Sequence, residues 1–543
     1  MIECKTHLSS RQRKKMTAGC NEITDILKFE RGHIMGTITQ LAQGAIEIAY
    51  FTPEECLSYL NDESNWNGVS KKLIQEMNEH LGLNEDADAL VEILREKMAA
   101  LDGLEKSSAE YGTLKTNVYR WLKKNQVPGE IKKSGEDYAM KICFALGFNV
   151  LPENYKSGKS TEEIETITHD RVSSFLRKGC RRSSFNFRDA YDTIYFYCLM
   201  NGEPYSKAKE LIKRYNDSAF KCPKIKFEPY HATKTLKQTF LADNAFEDEE
   251  EFIHTMCANK HNFIGYSTTL VDALKEHYRK VCRLAIESFM ADDIEDIVDN
   301  PDCVPGDEKR VLASFFSKIA ALPNAPDDFK TIIKEWEYNK KWRDSDSSKP
   351  QILNLYEKHA EWIWDNDDLS TEQLSKVIPE RILLRSIVSF ADEQFTYKGN
   401  GKKDNYFAAL KDSELSDKQY GVFDKIPNTV YLTDFVKLAQ APKEARKILI
   451  LYAFVLYVNE KSIAKLDVGP NFFYHDFFEL LTQILDDCGL PFLYPADPFD
   501  WLILKSIRAL DQTDDNTDTI GNIIDPLDFF QEVLLRSLNA FEE

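Results

Sequence analysis

Residues 111–124, YGTLKTNVYRWLKK, contain the side chains best suited to recognising another molecule. Apolar residues recur there at helical spacing and predict one buried stripe, made by Leu114, Val118, Trp121 and Leu122. Polar residues fall on or beside the opposite face: Thr116, Asn117, Arg120, Lys123 and Lys124. Asn and Arg can make two hydrogen bonds to a base edge in the major groove of DNA, whereas Lys and Thr suit phosphate oxygens. The pattern predicts a helix that reads duplex DNA, with Asn117, Arg120 and Lys123 nearest the bases.

Positive charge is concentrated around this helix and in one later segment. The whole chain has a net charge of −20, but residues 111–141 sum to +4 and residues 171–188 to +6, so the remainder carries −30. An acidic protein is repelled by nucleic acid unless its basic residues gather on one face. We therefore expect phosphate contacts from both segments, made by Lys115, Lys124, Lys132, Arg177, Lys178, Arg181 and Arg182.

A breaker and a second helix follow the basic helix. Pro128-Gly129 interrupts the pattern, and apolar spacing from Tyr138 predicts a helix that ends at Gly147. This arrangement resembles the latter half of a lambda-repressor-like helix-turn-helix domain. Together with FNFRDAYDTIYFYC from residue 185 onward, it is similar to a family of helical proteins of clostridial-type bacteria that are labelled as helix-turn-helix proteins. The resemblance implies a DNA-binding module over residues 111–220 and a role in transcriptional regulation.

A homodimer is also expected, because a single recognition helix contacts too few base pairs for useful specificity. Duplex DNA is the expected partner.

The C-terminal region repeats part of this pattern. Residues 426–457 parallel the basic helix and its successor, and the motif Asp-x-x-Asp occurs twice, at Asp189 and Asp192 and again at Asp497 and Asp500. We interpret this as a degenerate second copy; chance similarity between amphipathic helices is the alternative. From Asp486 to the C-terminus, thirteen acidic residues face three basic ones, a net charge of −10. This copy would repel phosphate, so we expect a structural role or a protein partner there.

The elements around these motifs predict an all-α protein of several modules. Gly 22 and Pro 19 are few for 543 residues, and helical spacing dominates while strand-like alternation is nearly absent. A chain of this length exceeds one core. The predicted divisions are a loosely packed basic extension (1–34), an N-terminal helical region (35–110), the helix-turn-helix-like module (111–220), a central helical domain (221–400) and an acidic C-terminal module (401–543).

No signature in the chain points to catalysis. Motifs of hydrolases, zinc proteases, kinases and dinucleotide-binding enzymes are missing, so we expect neither an enzyme nor a cofactor. His254, Cys257 and His261 share one helical face and could bind zinc, but no fourth ligand is evident, and a packed helix with histidines at its rim is the favoured interpretation. Hence no metal is expected.

The location expected from composition is the cytoplasm, with no membrane. Eleven cysteines lack any CxxC pair and indicate reduced thiols, and the longest apolar run, residues 448–458, is about half of the roughly 20 residues that a membrane span needs. The overall expectation is a sequence-dependent DNA-binding protein. The alternative is a helical interaction or scaffold protein, for example of a mobile-element or phage-defence system, that does not contact DNA.

Overall fold

The computed structural model describes residues 46, 52–62, 65, 68–128, 137–150, 161–217, 248–299, 314–338, 348–365, 373–374, 435–464, 472–508, 526–527, 529–530 and 533. Throughout these residues the regular structure is helical, with no strand, which confirms the all-α prediction. Residues 1–34 and Lys132 lie outside the described part of the chain. The predicted domain boundaries stay predictions.

In the first half of the chain, the described residues form one leading helix and a group of seven helices that we call the first module. The leading helix is α1 (Pro53–Asn61). The first module consists of α2 (Gly68–Leu81), α3 (Ala87–Asp102), α4 (Ala109–Lys123), α5 (Tyr138–Leu146), α6 (Thr161–Lys178), α7 (Ala190–Met200) and α8 (Tyr205–Asp217).

The second half repeats this order of a leading helix and a larger group, which we call the second module. Its leading helix is α9 (Glu249–Ala258), followed by a 3₁₀ turn (Lys260–Asn262). The second module consists of α10 (Thr268–Asp299), α11 (Asp327–Tyr338), α12 (Ser348–Asp365), α13 (Phe435–Ala439), α14 (Pro442–Ala464), α15 (Phe472–Asp487) and α16 (Pro498–Ile507).

Local sequence explains where these helices begin and end. Short polar side chains cap the free N–H groups of the first turn: Ser108 accepts from the Tyr111 N–H at the start of α4, and Asp137 accepts from the Met140 N–H at the start of α5. The helix α5 ends where the sequence predicts, because Gly147 adopts a left-handed conformation (φ +80°) that other residues avoid.

The apolar side chains form two main cores. The first contains residues from α2 to α8, with Trp121 of α4 and nearly every residue of α5 buried in it. The second contains residues from α10 to α16, and its centre is α14, which packs along α10.

Each core also contains the leading helix of the other half. Cys56 and Leu60 of α1 belong to the second core, where Tyr59 stacks on Trp501 with ring centroids 4.6 Å apart. Phe252 and Met256 of α9 belong to the first core. The two halves are therefore joined by apolar packing in both directions.

The turns before α7 and α16 have the same hydrogen bonds. Asp189 caps α7 by accepting from the N–H groups two and three residues later, and Asp497 caps α16 in the same way. The second Asp of each motif accepts from the N–H six residues before it: Asp192 from Asn186 at 2.9 Å and Asp500 from Tyr494 at 2.8 Å. The geometry supports the interpretation that Asp-x-x-Asp marks two related turns.

Two further features bear on the sequence predictions. Among the helices that the structure describes, none is long and apolar enough to cross a membrane. None of the cysteines within the described ranges forms a disulfide, and all of them are buried: Cys56, Cys143, Cys180, Cys198, Cys257, Cys282 and Cys488.

Candidate nucleic-acid interface

The helix α4 is fixed by its apolar face. Leu114, Val118 and Leu122 are at most 4% exposed, and Trp121, at 1%, packs against Tyr138 of α5 with ring centroids 5.2 Å apart. Neighbours α2 and α3 complete the packing. The buried stripe that the sequence predicts is confirmed, and burial of such side chains stabilises the fold by about 1.5–3 kcal/mol each. One side of α4 is therefore held rigidly while the other faces solvent.

The solvent face of α4 carries basic and polar side chains. Lys115, Thr116, Arg120 and Lys124 are exposed, and between them Tyr119 is 43% exposed, unusual for an aromatic ring. This face offers three cations, a hydroxyl and a flat ring on one rigid helix. Such a set can neutralise phosphates and contact base edges.

Two residues predicted near the bases are placed differently. Asn117 is only 6% exposed, because it lies one turn from Leu114 and Trp121 and shares their side of the helix. Lys123 pairs with Asp88 of α3, and its side chain is 26% exposed. The hydrogen bond to Asp88 raises the pKa of Lys123, so this cation remains protonated but is already paired. The available face is narrower than the sequence pattern predicts.

The segment 177–182 lies between the two modules instead of on an open face. Arg177 pairs with Asp486 at 2.8 Å, and its guanidinium lies over the Phe492 ring, 4.3 Å from the centroid. Lys178 is partly buried, and that burial lowers its pKa. Both residues turn toward the protein at the place where phosphate contacts were expected.

Among the three arginines of this segment, Arg181 has the least exposed side chain. Its side chain is 9% exposed and donates to the backbone carbonyl of Phe492 at 2.9 Å. Two carboxylates of the second module lie close, Asp500 at 3.6 Å and Asp497 at 3.7 Å. Burial lowers the pKa of Arg181, and the nearby positive charge of Arg446 lowers it further. The two carboxylates act in the opposite direction and favour the charged guanidinium at this buried position.

Arg182 completes an ion-pair group inside the first module. It donates to Asp137 and to Asp192, both at 2.6 Å. Burial acts against its charge, but the two carboxylates outweigh burial and raise its pKa. Arg177 and Arg181 are placed differently from Arg182, because the segment follows α6 directly into the turn that packs against the second module, where carboxylates and a carbonyl lie close to their guanidinium groups.

Sequence reasoning missed the counterpart of Arg182 in the second module. Arg446 of α14 is buried and donates to both carboxylate oxygens of Asp500, at 2.8 and 2.5 Å. The Asp-x-x-Asp motif marked Asp500, but nothing in the local sequence linked it to Arg446. Its remaining donors reach the carbonyls of Pro491 and Phe492.

No metal site is formed by the described part of the chain, where no group of three or more His, Cys, Asp or Glu side chains could hold an ion. Within this part, Cys257 is buried in the first core, while His254 and His261 are exposed.

In comparisons with known proteins, no family model, no curated protein and no solved structure matches this chain.

Proposed function

We propose that the protein binds duplex DNA through the solvent face of α4. The observation that carries the proposal is an exposed basic face, Lys115, Arg120 and Lys124, on a helix whose other side is locked by Trp121. In a chain of net charge −20, such a face concentrates attraction for phosphate at one place.

Thr116 and Tyr119 extend the same face. The Tyr119 hydroxyl can donate to a phosphate oxygen, and Arg120 can reach a guanine edge with two donors, whereas the Thr116 hydroxyl already donates to the Gly112 carbonyl at 3.1 Å. The segment 177–182 is excluded from the proposed contact, since its guanidinium groups are paired within the protein. A role in transcriptional regulation, in the cytoplasm, is the function that such binding best fits.

The test is a salt series of binding to a generic duplex, followed by fluorescence anisotropy. Counterion release makes the logarithm of affinity fall linearly with the logarithm of salt, and each lost phosphate contact reduces the slope by about one. The double variant Lys115→Ala with Lys124→Ala removes two of the proposed phosphate contacts and should reduce the slope by about two. A matched control, Lys213→Ala with Lys318→Ala, removes two exposed lysines elsewhere and should leave the slope nearly unchanged.

A second candidate function is a helical scaffold that binds another protein. The observation in its favour is α15, where Phe472 and Leu480 are 40% and 46% exposed on one side of the helix. Absence of DNA binding at low salt would remove the first proposal and leave this one.

A further inference from the structure

Some of the contacts between the two halves occur in reciprocal pairs when residues are matched by the shift in residue number that relates Asp189 to Asp497. Arg181 of the first module donates to the Phe492 carbonyl at 2.9 Å. In the equivalent pair, Gly489 corresponds to Arg181 and Ser184 corresponds to Phe492. Here the Ser184 backbone N–H donates to the Gly489 carbonyl at 2.8 Å, so the donor lies on the other residue of the pair. Arg181 and Gly489 also share a left-handed backbone, with φ of +49° and +68°.

A second reciprocal pair joins each turn to the start of the other module. The Tyr494 hydroxyl donates to the Gly68 carbonyl at 2.7 Å, where α2 begins. Asn186, the equivalent of Tyr494, donates from its amide to the Gly265 carbonyl at 3.4 Å, just before α10. Gly68, the first residue of α2, and Gly265, three residues before α10, therefore have similar positions at the start of each module.

The leading helices α1 and α9 complete the pattern. Counted from their N-caps, Thr52 and Asp248, the buried residues Cys56 and Phe252 have the same position. Phe252 stacks on Tyr197 of α7 with ring centroids 3.8 Å apart. In the second core, α1 packs on α16, the helix that corresponds to α7, where Tyr59 stacks on Trp501 with ring centroids 4.6 Å apart.

From these reciprocal contacts we infer that the chain is a covalently joined pair of related modules around an approximate twofold axis, in which each module completes its core with the leading helix of the other. The apolar surface that covers the core of each module is therefore supplied by the other half of the same chain. Arg214 of α8 strengthens one side of the exchange by pairing with Glu249 and Glu250 of α9, at 2.5 and 2.6 Å. This inference does not depend on DNA binding.

The first test cuts the intact protein. A protease recognition sequence inserted within residues 218–247 of the full chain allows cleavage between α8 and α9, after which one fragment holds α1 and the first module and the other holds α9 and the second module. Light scattering after size-exclusion chromatography in about 1 M NaCl, which screens exposed charges, gives the mass. The exchange predicts one particle with the mass of the uncut chain. Two separate folded fragments overturn the inference.

The second test uses the uncut protein and mild variants. Phe252→Leu should speed amide exchange in α7 of the first module by about two- to tenfold, the loss expected for one aromatic stack. On the other leading helix, Tyr59→Leu removes the ring that stacks on Trp501 and should speed exchange in α16 of the second module. If Phe252→Leu instead affects α10 and leaves α7 unchanged, α9 serves its own half and the exchange is wrong. Both outcomes can be measured by amide exchange on the folded protein, because these substitutions are milder than ones that would unfold it.

Discussion

The two basic segments of the chain, α4 and residues 177–182, have opposite fates. On α4, Lys115, Arg120 and Lys124 face solvent. In the later segment, Arg177, Arg181 and Arg182 are each paired with carboxylates, two of them across the boundary between the modules. The segment with the greater positive charge is the less available to a ligand. Charge summed along a sequence thus locates attraction for nucleic acid only after the partners of each cation are known.

A second contrast lies within the paired arginines. In the first module Asp192 shares Arg182 with a second carboxylate, Asp137. In the second module Asp500 serves Arg446 and lies 3.6 Å from Arg181 of the other module. The turn before α7 therefore makes its ion pairs within the first module, whereas the turn before α16 makes ion pairs both within the second module and with the first.

Asp500→Asn should produce the largest loss of stability. It would leave two buried guanidinium groups without their main carboxylate, a change that costs about 3–5 kcal/mol. Asp192→Asn should cost less, about 1–3 kcal/mol, since Asp137 still pairs with Arg182. Urea unfolding of both variants measures the difference. Equal losses would mean that the two turns do not differ in the way described.

Gly68→Ala should weaken the joint between the modules by a smaller amount. A Cβ atom at Gly68 would lie 2.5 Å from the Cβ of Ala496, so these two segments must move apart, at a cost of about 1–3 kcal/mol. The control is Gly112→Ala on α4, where no atom lies within 4 Å and helix propensity predicts a gain of about 0.5–1 kcal/mol. Thermal unfolding should shift in opposite directions; a harmless Gly68→Ala would contradict the close approach.

Acidification should destabilise the first core through His80. Its ring stacks on Phe148 with centroids 3.8 Å apart, donates to the Leu146 carbonyl at 3.0 Å, and accepts from Arg171 at 3.3 Å. Burial lowers the pKa of His80 below 6.5. Between the lowered pKa and 6.5 the unfolded chain binds the extra proton, so stability rises with pH and is lost as pH falls through this window.

The check on this pH effect is the difference between two stability curves, those of the native protein and His80→Gln, from pH 7.5 to 5. The native protein should lose more stability on acidification than the variant. Parallel curves would show that His80 does not titrate as described.

Much of α4 could be predicted from the sequence, because the positions of Leu114, Val118 and Trp121 by themselves identify the buried side. Asn117 was placed on the wrong side, since the buried stripe is wide enough to include a polar residue one turn from two apolar ones. The end of α5 was also predictable, because Gly147 signals a helix terminus locally.

The pairing of the arginines could not be predicted from the sequence. The carboxylates that lie close to Arg177 and Arg181 belong to Asp486, Asp497 and Asp500, several hundred residues later, and only the folded chain brings them together. The placement of α1 in the second core had no local signal either, because its apolar residues could pack equally well against either module. Sequence periodicity specifies which face of a helix is buried, but not which core receives it.

The central claim is that α4, and not residues 177–182, is the basic segment available to DNA. The most direct measurement compares salt slopes of DNA binding for two variants of the full chain. Lys115→Ala with Lys124→Ala should reduce the slope by about two, while Arg177→Gln should lower the melting temperature and leave the slope of the folded protein unchanged. A slope reduced by Arg177→Gln, with no change from the α4 variant, would contradict the account.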